Sequence, residues 1–152
     1  MAAGNYNLAT TKVTTMYRMF RNNGSFNTNI GFWDTSAVTN MDQMFVNASS
    51  FNQDISSWDV SNVINMNSAF QNSAFNSNIG SWDVSSVTIM SSVFYSNEAF
   101  NQNIGSWDVS SATNMNTMFY QAEGFNQDLS GWCVQSNFAS EPSNFKSLAN
   151  AT

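Results

Sequence analysis

The sequence predicts an α/β solenoid of about five coils, each about 25 residues long and carrying one short parallel strand and one short helix. Three observations predict it. Tryptophan recurs at Trp33, Trp58, Trp82, Trp107 and Trp132, with separations of 25, 24, 25 and 25 residues. Met16, Met41, Met66, Met90 and Met115 keep that register, as do Phe20, Phe45, Phe70, Phe94 and Phe119, and then Phe26, Phe51, Phe75, Phe100 and Phe125. Inside each period the apolar spacing changes, from alternation to a helix-like stripe.

The alternating piece is "FNQDISSW", which puts Phe51 and Ile55 on one face and Asn52, Asp54 and Ser56 on the other, as in a strand. The stripe is "SNVINMNSAF", where Val63, Met66 and Phe70 stand at i, i+3 and i+7 and Ser61 or Asn62 can cap the helix. One residue is missing between Phe70 and Phe75, and such a gap belongs in a surface loop. The whole chain, 1–152, reads as a single repeat domain: a lead-in over 1–12, repeats over 13–135, and a C-terminal cap or tail over 136–152.

Composition excludes several function classes. Charged residues make up 9% of the chain, so its surface polarity must come from amides and hydroxyls. The bases are Lys12, Arg18, Arg21 and Lys146, and the stretch from Asn22 to Phe145 holds all ten acids and no base. An acidic surface repels phosphate backbones and anionic membranes and attracts cations or basic partners, so no nucleic-acid partner is expected. With no histidine and one cysteine, Cys133, neither a Cys/His zinc site nor a Ser-His-Asp triad can be assembled. No apolar run approaches about 18 residues, so no membrane insertion is expected.

"FNQDISSWDVSNVINM" and its copies, together with the "MF…FNQDIS" element, are similar to the repeats of BspA-type leucine-rich-repeat surface proteins over residues 10 to 145. The resemblance implies a right-handed leucine-rich-repeat-like coil, with parallel strands on one side and short helices on the other. It also implies a modular role in adhesion and partner binding on bacterial surfaces, and it carries over no catalytic residue. In such relatives "GWCV", here Gly131 to Val134, and "EPSNF", here Glu141 to Phe145, precede a second cysteine that this sequence lacks, which implies a truncated or diverged cap.

The Trp, Met and Phe columns are expected to fill the interior. Two polar columns are candidates for function. Asn29, Asp54, Asn78, Asn103 and Asp128, flanked by Gly31, Ser56, Gly80, Gly105 and Ser130, form an outward ladder that offers a flat face to a protein or glycan. Asp34, Asp59, Asp83 and Asp108 would stack like charges at about 4.8 Å. That column needs either backbone N–H donors from its own turns or a bridging Ca²⁺, the one cofactor considered; no metal site is firmly expected. The Asn after each Phe is expected to satisfy backbone groups at the coil bends.

Acids that recur identically coil after coil do not mark a unique reaction centre, so the chain is not expected to be an enzyme. The expected function is a non-catalytic, extracellular or cell-surface adhesion module that recognises a protein or glycan on a host or neighbouring cell. The alternative is a structural spacer or a self-assembling solenoid that stacks end to end, with self-association through its ends or through Cys133. Ice or mineral binding by the row Thr14, Thr39, Ile64, Thr88 and Thr113 ranks below both, because that row falls on the expected helix, a poorly flat surface.

Overall fold

A computed structural model describes residues 12–133 and 143–145. The lead-in expected over 1–12 and the cap or tail expected over 136–152 lie outside the described residues, apart from Lys12 and Ser143 to Phe145. Five coils, beginning at Val13, Val38, Val63, Val87 and Ala112, stack in register. One bridge residue per coil, Thr15, Asn40, Asn65, Ile89 and Asn114, joined by four parallel bridges, marks the stacking line.

The expected α/β coil is not what forms. Among the described residues there is no α-helix and no strand longer than a single bridge residue, so the leucine-rich-repeat-like pairing of strand and helix is absent. The segment expected to be helical carries the bridge, followed by a ribbon of turns. In coil 1, Met16, Arg18, Phe20 and Asn22 donate their N–H groups to Asn40, Asp42, Met44 and Val46 of coil 2, at 2.7–3.0 Å. The residues between them close turns on their own coil: Met19 to Met16, Arg21 to Arg18, and Asn23 to Phe20. Such alternation requires left-handed backbone at two positions per coil. The columns Arg18, Gln43, Ser68, Ser92, Thr117 and Asn22, Asn47, Asn72, Ser96, Gln121 all take φ between 51° and 60°. A residue with positive φ two places into a turn is the type II geometry, and it ends any helix.

Physical chemistry favours this outcome over a helix. The segment is rich in Asn, Ser and Thr, whose side chains compete for backbone groups, and a helix of some ten residues is marginal in water. Asn tolerates the left-handed region best, and the second column uses it three times. Those amides also bond up the stack, Asn47 Nδ2 to Asn22 Oδ1 and Asn72 Nδ2 to Asn47 Oδ1, each at 2.7 Å.

The expected strand also fails, for a related reason. Phe51 and Ile55 do point inward, but the next coil is reached through side chains. The N–H groups of Asn52, Asn76, Asn101 and Asn126 donate to the Oδ1 of Asn27, Asn52, Asn76 and Asn101 at 2.8–3.1 Å, an asparagine ladder where a sheet would use carbonyls. The threonine row lies beside the bridge and not on a helix. Thr39, Thr88 and Thr113 donate their hydroxyls to the carbonyls of Thr14, Ile64 and Thr88 in the preceding coil.

The interior is aromatic. Within each coil the two Phe columns stack face to face at 3.7–4.3 Å between centroids. The tryptophans repeat from coil to coil at 6.4–6.5 Å with interplanar angles of 4–7°. Trp58, Trp82, Trp107 and Trp132 each donate the indole N–H to the carbonyl of Ile30, Ile55, Ile79 or Ile104 in the coil before, at 2.9–3.2 Å. Each tryptophan thus packs in the core and hydrogen-bonds its neighbour.

The missing residue of coil 3 is compensated by a buried polar side chain. Asn97, fully buried, reaches back into the shortened bend and donates to Phe70 O, Ser73 Oγ and Phe75 O, while its Oδ1 accepts from Phe100 N–H. Ala48 and Ala122 hold the equivalent place where the bend has its full length. Replacing Asn97 by Ala removes the donor to the Phe75 carbonyl, while Phe70 O keeps the Ser73 hydroxyl, and is expected to lower stability by about 1–3 kcal/mol in urea unfolding. Ala122→Asn, which buries an amide without that gap to fill, should destabilise as well; a neutral result for both would remove the account of the bend.

Candidate functional site

The outward ladder is built from a single local device. Asn29, Asp54, Asn78, Asn103 and Asp128 are all exposed, and each Oδ1 accepts the N–H of the residue two places on, at 2.8–3.0 Å. These are Asx turns, which fix the direction of each side chain. The Nδ2 of Asn29, Asn78 and Asn103 meet no protein partner among the described residues, and the carboxylates of Asp54 and Asp128, held by Ser56 and Ser130 of their own turns, stay exposed. The ladder is therefore a line of donors and acceptors, one per coil.

Glycine decides its relief. A Cβ on Gly31, Gly80 or Gly105 would sit 2.5, 2.5 and 2.7 Å from the carbonyl oxygens of Asp54, Asn103 and Asp128 in the next coil. The backbone can approach that closely only without a side chain. Serines beside the glycines, Ser57 and Ser106, donate to the carbonyls of Gly31 and Gly80 across the coils. Two shallow hollows result. One, of about 730 Å³, is lined by Asn78, Asn103, Asp128 and the small residues beside them, and the other, of about 240 Å³, holds Asn29, Asp54 and Phe32.

Phe32 was not among the expected site residues. It is 57% exposed in a column that is otherwise Ser57, Ser81, Ser106 and Gly131, and that break of pattern is its only signal in the sequence. It gives the smaller hollow an apolar wall that the larger one lacks.

The Asp column is brought into line but its members serve their own turns. Asp34, Asp59 and Asp83 accept both the N–H and the hydroxyl of Ser36, Ser61 and Ser85 through Oδ1, and Asp108 accepts from Ser110 N–H. The serine hydroxyls, then their N–H groups, hold the carboxyls of Asp34, Asp83 and Asp108 below the usual aspartate range, against opposing desolvation and, for Asp83, the charge of Asp108. In the ladder, the N–H groups of Ser56 and Ser130 do the same for Asp54 and Asp128. Among the described residues no three Asp, Glu, Cys or His side chains gather closely enough to hold a metal ion. The purely local hydrogen bonds supply the compensation that stacked carboxylates require. Cys133 takes the place of Asp in coil 5 and is exposed with a free thiol.

All five shifted carboxyls have folded-state values below their unfolded ones, so they add stability above the unfolded value, about 3.9, and lose it as pH falls through the folded value. The thermal midpoint should stay level from pH 7 to about 5 and fall between about pH 4 and 2. Replacing Asp34, Asp83 and Asp108 by Asn should flatten that fall in a melt series; an unaltered acid limb would place the pH dependence elsewhere.

No curated protein and no solved structure matches the chain significantly. A model of one repeat family matches twice, over residues 3–74 and 65–151, and the two matches together span nearly the whole sequence. On that coverage the chain belongs to the family described as Mycoplasma protein of unknown function, DUF285.

Proposed function

We propose that this chain is a non-catalytic binding module of the bacterial cell surface, which recognises a protein or glycan along its outward ladder. The observation that carries the reading is the ladder itself. Five fixed, exposed Asn and Asp side chains, one per coil, present donors and acceptors along two hollows, in a stretch that holds acids and no base from Asn22 to Phe145. Its repeats resemble those of BspA-type surface proteins, and that likeness supports an extracellular setting and a part in adhesion. Affinity would arise from many weak, regularly spaced contacts. Asp54 and Asp128 would draw in basic groups and raise the rate of encounter. A bound Ca²⁺ at the Asp column is no part of this reading, because those carboxylates are engaged by their own turns.

Arrays of glycans and extracellular-matrix proteins test it directly. Binding to at least one class above background is expected, and silence on both would leave the spacer reading ahead. Since Asn already stands at equivalent places in the ladder, Asp54→Asn with Asp128→Asn should preserve the fold. Loss of two exposed ion pairs, at about 0.2–1 kcal/mol each, should weaken binding of a basic ligand about 2- to 30-fold at low salt. Unchanged affinity and salt dependence would move the contact surface off the ladder.

A further inference from the structure

The two ends of the stack differ. In coils 2 to 5 every ribbon has four carbonyls that accept N–H groups from the coil before, as Asn40, Asp42, Met44 and Val46 do. Their counterparts in coil 1, the carbonyls of Thr15, Tyr17, Met19 and Arg21, meet no N–H among the described residues. Core columns are uncovered at the same edge. Met19 is 43% exposed where Met44 and Met118 are 1% and 0%, and Phe20, Phe26 and Trp33 are only half-buried. An open edge of this kind is a template for another chain.

The opposite end is closed by a short segment. Thr117 and Phe119 donate to the carbonyls of Ser143 and Phe145, at 2.9 and 3.1 Å. Phe145 meets Phe119 edge-on, at 86°, and Trp132 at 70°, whereas rings of the same column in successive coils lie within 17° of parallel. A ring turned on edge stops a stack that a parallel ring would continue. Among the described residues the cap engages the ribbon N–H groups of Thr117 and Phe119.

We propose that the coil-1 edge is a docking surface for the coil-5 end of a second copy of this chain, and that Ser143 to Phe145 withholds that end until displaced. The fit continues an interface that the chain already makes four times between its own coils. Coil 1 in the place of a sixth coil would offer four carbonyls to the ribbon N–H groups of coil 5, and the Trp33 indole to the Leu129 carbonyl, as each later tryptophan does. Charge favours the same pairing: residues 1–21 hold three bases and no acid, against ten acids and one base in the rest. The contact is head-to-tail and so propagates into open chains.

Light scattering on the full chain, under reductant to exclude Cys133 disulfides, tests the proposal. The native chain should stay monomeric. Phe145→Ala should raise the weight-average mass more than twofold as concentration increases, and adding Met19→Asp should return it to the monomer. Phe145→Met, apolar but without a ring to stand edge-on, serves if the alanine variant does not fold. The proposal is overturned if the folded variants remain monomeric, if Met19→Asp leaves the assemblies intact, or if the native chain assembles to the same extent.

Discussion

The structure depends on one arrangement of backbone hydrogen bonds. In each ribbon alternate N–H groups reach the next coil and the intervening ones close turns on their own, so no residue satisfies both a helix and a sheet. Because backbone polar groups must be met somewhere, this division sets everything that follows. It fixes the stacking distance between coils, the two left-handed positions per coil, and the polarity of the ribbon, whose donors face one end and acceptors the other.

Close stacking then selects the side chains. Columns that point inward are repeated at coil spacing and must pack on copies of themselves, which the flat rings do by stacking and the Ile and Val columns do beside them. Columns that point outward must tolerate their own copies too. Carboxylates in a row would repel, and the serine two residues after each aspartate answers that repulsion locally. Asparagine carries no charge and both donates and accepts, so it ladders freely between coils on two different columns. The low charge of the chain is thus a consequence of its close repetition and not only a surface property.

What the sequence made legible follows the same logic. Periodicity revealed which residues face inward, because burial selects side-chain type, and Phe51, Ile55, Trp58, Val63, Met66 and Phe70 are all buried. It also revealed that the Asn and Asp ladder faces outward. It could not reveal the sign of φ. Val63, Met66 and Phe70 recur at a helical spacing, yet a ribbon turning every few residues meets the same spacing, and only the Asn22, Asn47, Asn72 column hints at left-handed backbone. Asn97 was illegible for another reason: in a chain so rich in asparagine, its distinction lies entirely in sitting one coil beyond the shortened bend.

A stack with polarity has two unlike ends, and a repeat protein must resolve both. Phe145 resolves one by turning its ring against the column, and it acts through shape, since the carbonyls of Ser143 and Phe145 still continue the ladder. At coil 1 the acceptors stand in the most basic part of the sequence, beside Arg18, whose guanidinium lies 4.7 Å from the Tyr17 ring centroid and donates to Gln43. Positive charge beside carbonyls that meet no N–H among the described residues suits a partner that brings N–H groups and negative charge together. The acidic flank, by contrast, offers side-chain donors and acceptors at one position per coil. Ends and flank therefore suit different partners: the ends select another coil by backbone complementarity, while the flank selects by charge and by the spacing of one side chain per coil.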